Sequence, residues 1–432
     1  MTVKAVMAGF ALTVIAASVA PAASAANFNW KKFQGKTVSL LADNNPILRE
    51  LLTHKADFEK LTGIKLKVDT YEEQQMRQRL VTVMNAHSDE IDVFMTLPSR
   101  EGAQFAAAGW YADMAPMAKN EVAPEYDYAG LSPALLKAAT YNGKLTAMPM
   151  NIEGPVVYYR TDIFKKCGVG QLKTIADLEA AAKKIKACDS SITPFVSRGL
   201  RPALPYTFSN FLHNMGGSYM VNGKSALCTP KDKAALETYS QLLRDFGPPG
   251  VVNYSFPQSS ALYRAGRAAM DFEATNELPT VMQGGARLKD TAIIPLPPGD
   301  GGQVPTTIGW GIAISAYSKH ADAAWYFVQW ATSPRVQKEM AVQGIAPPRS
   351  SVAEDPTYRK WIDAQPVRKD WQAALDVLAA KGSSEVGYPI VANPASREVI
   401  GQAVQELILK QKTVDQACAE ADKGANALIA QK

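Results

Sequence analysis

Short apolar runs alternate with helical periodicities along the first part of the chain. Residues 37–42 form a compact apolar run, 64–68 alternate apolar and charged positions, and 91–95 are a third apolar run; each predicts a β-strand. Between these runs, apolar residues recur at helical spacing over 46–62 and 72–86. Strands that alternate with helices in this way predict a parallel sheet with helices packed on its faces.

A similar pattern resumes in the middle of the chain. Further apolar runs predict strands at 156–159, 194–197, 268–272, 292–295 and 309–314, with helical patterns between several of them. The C-terminal third is mostly helical in pattern. Because 432 residues are too many for one compact core, the sequence predicts two α/β domains.

Polar loops follow the first three predicted strands. Ligands of parallel α/β sheets bind beyond the carboxyl ends of the strands, so these loops are candidate binding segments. Asn45 is equally suited to cap the helix that Pro46 begins, and Arg100 has an alternative role as a solvated helix residue. Asn44 has no capping role and is the stronger candidate of the two asparagines. The candidates from these loops are Asn44, Asn45, Tyr71, Thr96 and Arg100.

Composition narrows the functional classes. Hydrophobic residues make up 47% of the chain and charged residues 20%, a globular balance, and the net charge of +5 is spread without a basic block. Nucleic acid is therefore not an expected partner. The 4 His are scattered and the 4 Cys form no CxxC, so we expect no metal site and no cofactor. Two disulfides are possible, with the pairing open among Cys167, Cys188, Cys228 and Cys418.

The N-terminus has the pattern of a secretory signal peptide. Lys4 precedes an uncharged apolar run over 5–20, and Ala23-Ser24-Ala25 is a small-x-small cleavage site. We therefore predict a signal peptide over 1–25 and export to the periplasm, with an uncleaved anchor as the alternative. No Cys stands at the cleavage point, so no lipid anchor is predicted there.

Glu153 is the one acid in the apolar stretch 146–159. Burying a carboxylate between two apolar segments costs free energy unless a partner binds it. A cleft that holds a polar ligand is one solution, and a salt bridge to Arg or Lys is the other.

Several short motifs follow one another along the chain. They are DFEKLTGI at 57–64, DVF at 92–94, NGKLTAMP at 142–149, VYYRTDIF at 157–164, TIADL at 174–178, AGRAAM at 265–270, GWGIAI at 309–314, TSPRVQ at 332–337 and GIAPPR at 344–349. In this order they resemble the extracellular solute-binding proteins of sugar-importing ABC transporters, the family that includes maltose/maltodextrin-binding protein. The resemblance extends from about residue 37 to the C-terminus.

The resemblance implies a periplasmic-binding-protein fold: two α/β lobes, each a mainly parallel sheet flanked by helices, joined by a hinge with ligand in the cleft. It divides the chain into an N-terminal lobe, 26–152 plus 293–345, and a C-terminal lobe, 153–292 plus 346–432. The first crossing between lobes would then contain Glu153, and a related position in maltodextrin-binding proteins carries an acid that contacts sugar.

The resemblance also places further candidates in the cleft. Tyr206 stands where relatives stack an aromatic ring on sugar, with core packing as its alternative role. Trp310 lies between two glycines, which leaves its ring accessible, although a buried sheet tryptophan is possible. Many relatives have a Trp near Asn276 that this chain lacks, which disfavours long oligosaccharides and favours a small, hydroxyl-rich ligand. The candidates from the resemblance are Glu153, Arg198, Tyr206, Glu273, Asn276, Trp310 and Arg349.

The expected function is non-catalytic: capture of a sugar or sugar alcohol and delivery to the membrane permease of an ABC transporter, by a protein that is a monomer. One alternative keeps the fold and binds an anionic organic solute through Arg198, Arg201 and Arg349, or binds a polyamine. Another is a secreted carbohydrate-active enzyme that uses Glu153 and Glu273 as an acid pair.

Overall fold

The structure is a computed structural model that describes residues 28–283 and 289–431. The predicted signal peptide, 1–25, lies outside the described residues. Among the helices of the described ranges, none combines the length and apolarity needed to cross a bilayer.

The described strands are short and distributed along the first three quarters of the chain. They are β1 Thr37–Asp43, β2 Lys65–Tyr71, β3 Val93–Thr96, β4 Thr140–Tyr141, β5 Lys144–Leu145, β6 Met148–Pro149, β7 Pro155–Arg160, β8 Thr193–Val196, β9 Met220–Val221, β10 Lys224–Ser225, β11 Ala268–Ala274, β12 Thr291–Pro295 and β13 Gly311–Ile314.

Helices lie between many of these strands and account for all the regular secondary structure described after β13. They are α1 Pro46–Thr53, α2 Lys55–Thr62, α3 Glu73–Asn85, α4 Ala103–Ala107, α5 Ala115–Asn120, α6 Pro133–Ala138, α7 Thr161–Lys166, α8 Ile175–Cys188, α9 Pro205–Asn214, α10 Pro230–Phe246, α11 Phe256–Arg264, α12 Leu278–Met282, α13 Ala321–Ala331, α14 Pro334–Ala341, α15 Ser350–Ala353, α16 Pro356–Asp363, α17 Pro366–Lys381, α18 Asn393–Ile408 and α19 Val414–Ile429.

The first sheet has the strand order β2-β1-β3-β13-β6. β1 runs parallel to β2 and to β3, as the strand–helix alternation predicts. β13 runs antiparallel to β3 and to β6. The core packed on this first sheet includes buried residues of β1 and β3 together with Trp325 and Trp330 of α13.

The second sheet has the order β12-β7-β11-β8. β11 is parallel to β8, whereas β7 is antiparallel to both of its neighbours, β11 and β12. The expectation of mainly parallel sheets is therefore wrong for this lobe. Only β8 and β11 run parallel in this sheet, whereas β7, by which the chain enters the sheet from the crossing segment after β6, runs opposite to both of its neighbours.

The chain passes between the two sheets in short segments. The interval between β6 and β7, residues 150–154, lies where the first crossing was predicted. The lobe boundary predicted at 293 falls inside β12, which pairs with β7 along Thr291–Pro295, so the chain changes sheets only between β12 and β13. Near the third predicted crossing, Ile345 packs in the core of the first sheet and Ala346 in a core beside the second.

Both disulfides lie in the part of the chain that surrounds the second sheet. Cys167 pairs with Cys188 and joins the end of α7 to the end of α8. Cys228 pairs with Cys418, 190 residues later in sequence, and fastens α19 to the loop before α10. The structure thus selects one of the three pairings that the sequence leaves open.

Candidate functional site

A small polar cavity of about 30 Å³ lies between the two sheets. Both lobes contribute to it, from the loops and helix starts that follow strands. Its lining residues are Asp43, Asn45, Glu73, Leu97, Ser99, Arg100, Glu153, Arg198, Tyr206, Phe256, Asn276, Glu277, Ile308, Trp310, Val386 and Arg397.

Residues at the strand ends of the first sheet form one wall of the cavity. Asp43 is the last residue of β1, and Asn45 caps α1 by accepting a 3.0 Å hydrogen bond at Oδ1 from the Leu48 N–H. Glu73 is the first residue of α3, where the helix dipole favours a carboxylate. Arg100 lies in a π-helical turn, Pro98–Gly102, that follows β3 closely and points its side chain back toward α3. The polar side chains therefore gather at one edge of the first sheet.

An ion-pair network holds this wall together. Arg77 donates to Glu73 at 2.6 Å and to Glu101 at 3.1 Å, and Arg100 donates to Glu73 at 2.9 Å. Burial alone would raise the pKa of Glu73, but Arg77 and Arg100 outweigh it and lower the pKa to about 2. Glu73 is therefore ionised at neutral pH.

Arg198 lies at the centre of the opposite wall of the cavity, which the second lobe forms. It follows β8 and forms charge-assisted hydrogen bonds with Glu273 of β11, with Nε 2.9 Å from Oε2. Its guanidinium carbon lies 4.5 Å from the centre of the Tyr206 ring and 5.6 Å from that of Phe256. One Nη of Arg198 is also 4.0 Å from Glu73, which makes an ion pair between the lobes.

Glu153 lies in the first crossing segment and faces the cavity. Its backbone N–H donates to Ile308 O at 2.8 Å, and its carboxylate accepts from Asn151 Nδ2 at 2.9 Å. Burial raises the pKa of Glu153 to about 8, because the Asn151 hydrogen bond and Arg198 offset only part of the desolvation. Asn151 Oδ1 accepts from the Trp310 N–H at 2.9 Å, so Glu153 and Trp310 are positioned by one asparagine.

The Trp310 ring forms part of the cavity wall and is only 4% exposed. The guanidinium carbon of Arg77 lies 5.4 Å from its ring centre. The two aromatic candidates, Tyr206 and Trp310, therefore each have an arginine over one face.

Several cavity-lining polar atoms make no hydrogen bond to any described residue. Unpaired buried polar groups cost free energy, and a cluster of them around one cavity is typical of a ligand site. They come from both lobes and include acceptors and donors. They are both carboxylate oxygens of Asp43, Asn45 Nδ2, Ser99 Oγ, Arg100 Nε, Tyr206 Oη and Asn276 Oδ1.

Comparison with known proteins identifies the family. The family model for bacterial extracellular solute-binding proteins matches residues 40–338. The chain belongs to this family. Its members are binding proteins, which agrees with a polar cavity between two lobes.

Three relatives of this solute-binding protein illustrate the similarity. A mannitol-binding protein of Pseudomonas aeruginosa is 26% identical over 405 residues, 88% of this chain and 90% of that protein. A solute-binding protein of Agrobacterium radiobacter, crystallised with ribitol, has a TM-score of 0.81 and 27% identity, and the match covers 91% of this chain and 99% of that one. A probable ABC transporter-binding protein of Deinococcus radiodurans is 30% identical over 221 residues, 49% of this chain and only 53% of that protein.

Seven of the predicted residues of this solute-binding protein line the cavity, and five lie outside its lining. Asn44 is exposed, Tyr71 is 37% exposed, and Thr96 is buried with its hydroxyl 2.8 Å from Tyr111 Oη. Glu273 contacts Arg198, whose Nε donates to its carboxylate, but it does not itself line the cavity. Arg349 is buried away from the cavity, where Nε donates to Thr332 O at 3.1 Å. The residues in the lining are Asn45, Arg100, Glu153, Arg198, Tyr206, Asn276 and Trp310.

Other lining residues were not predicted. Asp43 and Glu73 adjoin loops that the pattern had marked, and Glu277 directly follows Asn276, so strand-end position was a usable signal for these three. Phe256 begins α11, and Arg397 lies in α18, where its Nε donates to Pro202 O at 2.9 Å. Neither has a local sequence signal, because only the tertiary fold brings these helices to the cleft.

The described residues contain no group of three or more His, Cys, Asp or Glu side chains arranged to hold a metal ion. The acids of the cavity are instead distributed around it and interleaved with arginines.

Proposed function

We propose that this protein captures a small sugar alcohol or monosaccharide in the interlobe cavity and delivers it to the permease of an ABC transporter. The observation that supports this most is the convergence of unpartnered donors and acceptors from both lobes. A hydroxyl both donates and accepts hydrogen bonds, so a chain of hydroxyls suits such a mixture. The mannitol and ribitol named for two relatives agree with this ligand class.

The geometry favours an acyclic ligand. Arg77 covers one face of Trp310, and Arg198 lies over Tyr206 and Phe256, so the rings offer little apolar platform for the C–H face of a pyranose. An extended alditol, recognised by hydrogen bonds along its length, fits this lining better than a sugar ring.

The alternatives have less support. Arg198 is engaged by Glu273, Arg100 by Glu73, and Arg397 by backbone carbonyls, so none of them is a free cation for an anionic ligand. The same Arg198–Glu273 pairing disfavours an enzyme in which Glu153 and Glu273 act as a catalytic pair.

Closure of the lobes is the proposed signal to the permease. Ligand that binds Asp43 and Arg100 on one lobe and Tyr206 and Asn276 on the other favours the closed state through its contacts with both. We further propose that the chain acts as a monomer in the periplasm after removal of residues 1–25, with segments 150–154 and 296–310 as hinge strands.

Isothermal titration calorimetry of matched variants tests the assignment. Asn276→Ala removes an unpartnered acceptor of the cavity and should weaken alditol binding about five- to tenfold, the value of one neutral hydrogen bond. Asn44→Ala is the control, because Asn44 is exposed outside the lining. Equal affinities for the two variants would contradict the site, and no binding of any alditol or monosaccharide by the unmodified protein would contradict the function.

A further inference from the structure

Four acids line the cavity, and only one of them, Glu73, is paired with arginines, Arg77 and Arg100. Among the described residues, the three remaining lining acids have no Lys, Arg or His within salt-bridge distance. These three acids are Asp43, Glu153 and Glu277.

Asp43 is the least satisfied of the three. Glu153 accepts a hydrogen bond from Asn151, and the Thr280 side chain stabilises the Glu277 carboxylate. Asp43 is 1% exposed, and neither of its carboxylate oxygens has a hydrogen-bond partner among the described residues. A buried carboxyl without a donor is costly, so a ligand group at this position should supply donors.

The charged surroundings of Asp43 favour a cationic donor. Glu72, Glu73 and Arg77 act on it electrostatically, two acids against one base, and the Asn45 side chain offsets only part of the effect of burial. Burial, and after it Glu73, holds the pKa of Asp43 well above its usual range. A positive charge beside Asp43 would offset both effects.

We propose that the ligand is an amino alditol, a polyol with one primary ammonium group, and that Asp43 binds this ammonium. The inference rests on the proposed function and deepens it. An ammonium donates three hydrogen bonds and accepts none, whereas a hydroxyl donates only one, so the ammonium suits two bare carboxylate oxygens. The hydroxyls of the same ligand meet the mixed donors and acceptors at Arg100, Tyr206 and Asn276.

A polyamine satisfies the cavity less well. Arg100 Nε donates no hydrogen bond to a described residue, and an ammonium group offers no lone pair to it. The cavity therefore matches one ammonium group on a chain of hydroxyls.

The test compares ligand pairs that differ at one position. Calorimetric titrations at pH 7 would use ribitol, D-mannitol and D-glucitol, each beside its 1-amino-1-deoxy derivative. We expect at least one amine to bind tenfold or more tightly than its parent alditol. Asp43→Asn keeps the size of the side chain and should abolish that preference while it still binds the alditol. Asp363→Asn, at a side chain that is 72% exposed in a surface ion pair, removes the same charge and should leave the preference unchanged.

The outcomes separate this inference from the proposed function. If alditols bind and no amine binds more tightly than its parent, the ammonium site is refuted and the function stands. If the preference persists in Asp43→Asn, Asp43 is not the ammonium partner and the inference fails. If neither alditols nor amines bind, the proposed function fails and the inference fails with it. Thermal unfolding of each variant checks that it is folded.

Discussion

Glu153 should give the stability of this protein a measurable dependence on pH. Its carboxyl has a pKa of about 8 in the folded protein, against its usual 4.5, because burial disfavours the charged form. A folded-state pKa above the unfolded value means that the folded protein binds the proton more tightly. The resulting stabilisation is complete below pH 4.5 and is lost as the pH rises through 8.

The size of the effect follows from the two pKa values. Each pH unit between them corresponds to about 1.4 kcal/mol, and the folded-state carboxyl is only half ionised at pH 8, so Glu153 should remove about 3.5 kcal/mol of the unfolding free energy between pH 5 and pH 8. Glu153→Gln keeps the size of the side chain and its hydrogen-bonding capacity but cannot ionise. The variant should therefore lose this part of the pH dependence.

Urea denaturation at pH 5 and pH 8, followed by tryptophan fluorescence, measures the difference. The loss of unfolding free energy between the two pH values should be about 3.5 kcal/mol smaller for Glu153→Gln than for the parent protein. Glu385→Gln, a part-exposed acid for comparison, should follow the parent. Parallel pH dependence of Glu153→Gln and the parent protein would refute the buried, protonated state of Glu153.

Three further predictions concern the site and its frame. Tyr206→Phe removes a hydroxyl that makes no hydrogen bond to a described residue. The variant should therefore bind the alditol several-fold more weakly in calorimetry, while its unfolding free energy changes by less than about 0.5 kcal/mol. A large loss of stability would contradict this. Arg349→Met leaves Thr332 O without its donors, so it should destabilise the protein by about 2 kcal/mol and leave the ligand affinity unchanged. Weaker ligand binding by this variant would indicate that Arg349 belongs to the ligand site. Replacing Cys228 and Cys418 by Ser should lower the unfolding free energy by about 2–5 kcal/mol in denaturant titrations, because the disulfide closes a long loop. An unchanged denaturation midpoint would refute the structural role of this disulfide.

The first sheet could be predicted from sequence because its signals are local. Alternating polarity and the Asn45–Pro46 helix start placed β1, α1 and β2 close to their observed bounds. The helix predicted over 46–62 is divided at His54 into α1 and α2, a break that no Gly or Pro marks. Helical periodicity continues across such a break, so the pattern alone does not reveal it.

The composition of the site was harder to predict than its location. Strand ends indicated the right loops, but arginines at similar positions have different roles. Arg198 lies over Tyr206 in the cavity, whereas Arg349 lies over Tyr126 away from it. The difference depends on which acid or carbonyl lies opposite in the fold. The pairing of Arg198 with Glu273, 75 residues later in sequence, is such a tertiary fact.

The most direct test of the central claim is a thermal-shift titration of the purified protein with ribitol and D-mannitol, beside maltose and a panel of organic anions. A ligand that binds only the folded state at 100 times its Kd adds about 2.7 kcal/mol to the unfolding free energy and raises Tm by several degrees. We predict a saturable rise with at least one alditol and none with the anions. A rise with organic anions and none with any alditol or monosaccharide would contradict the polyol site.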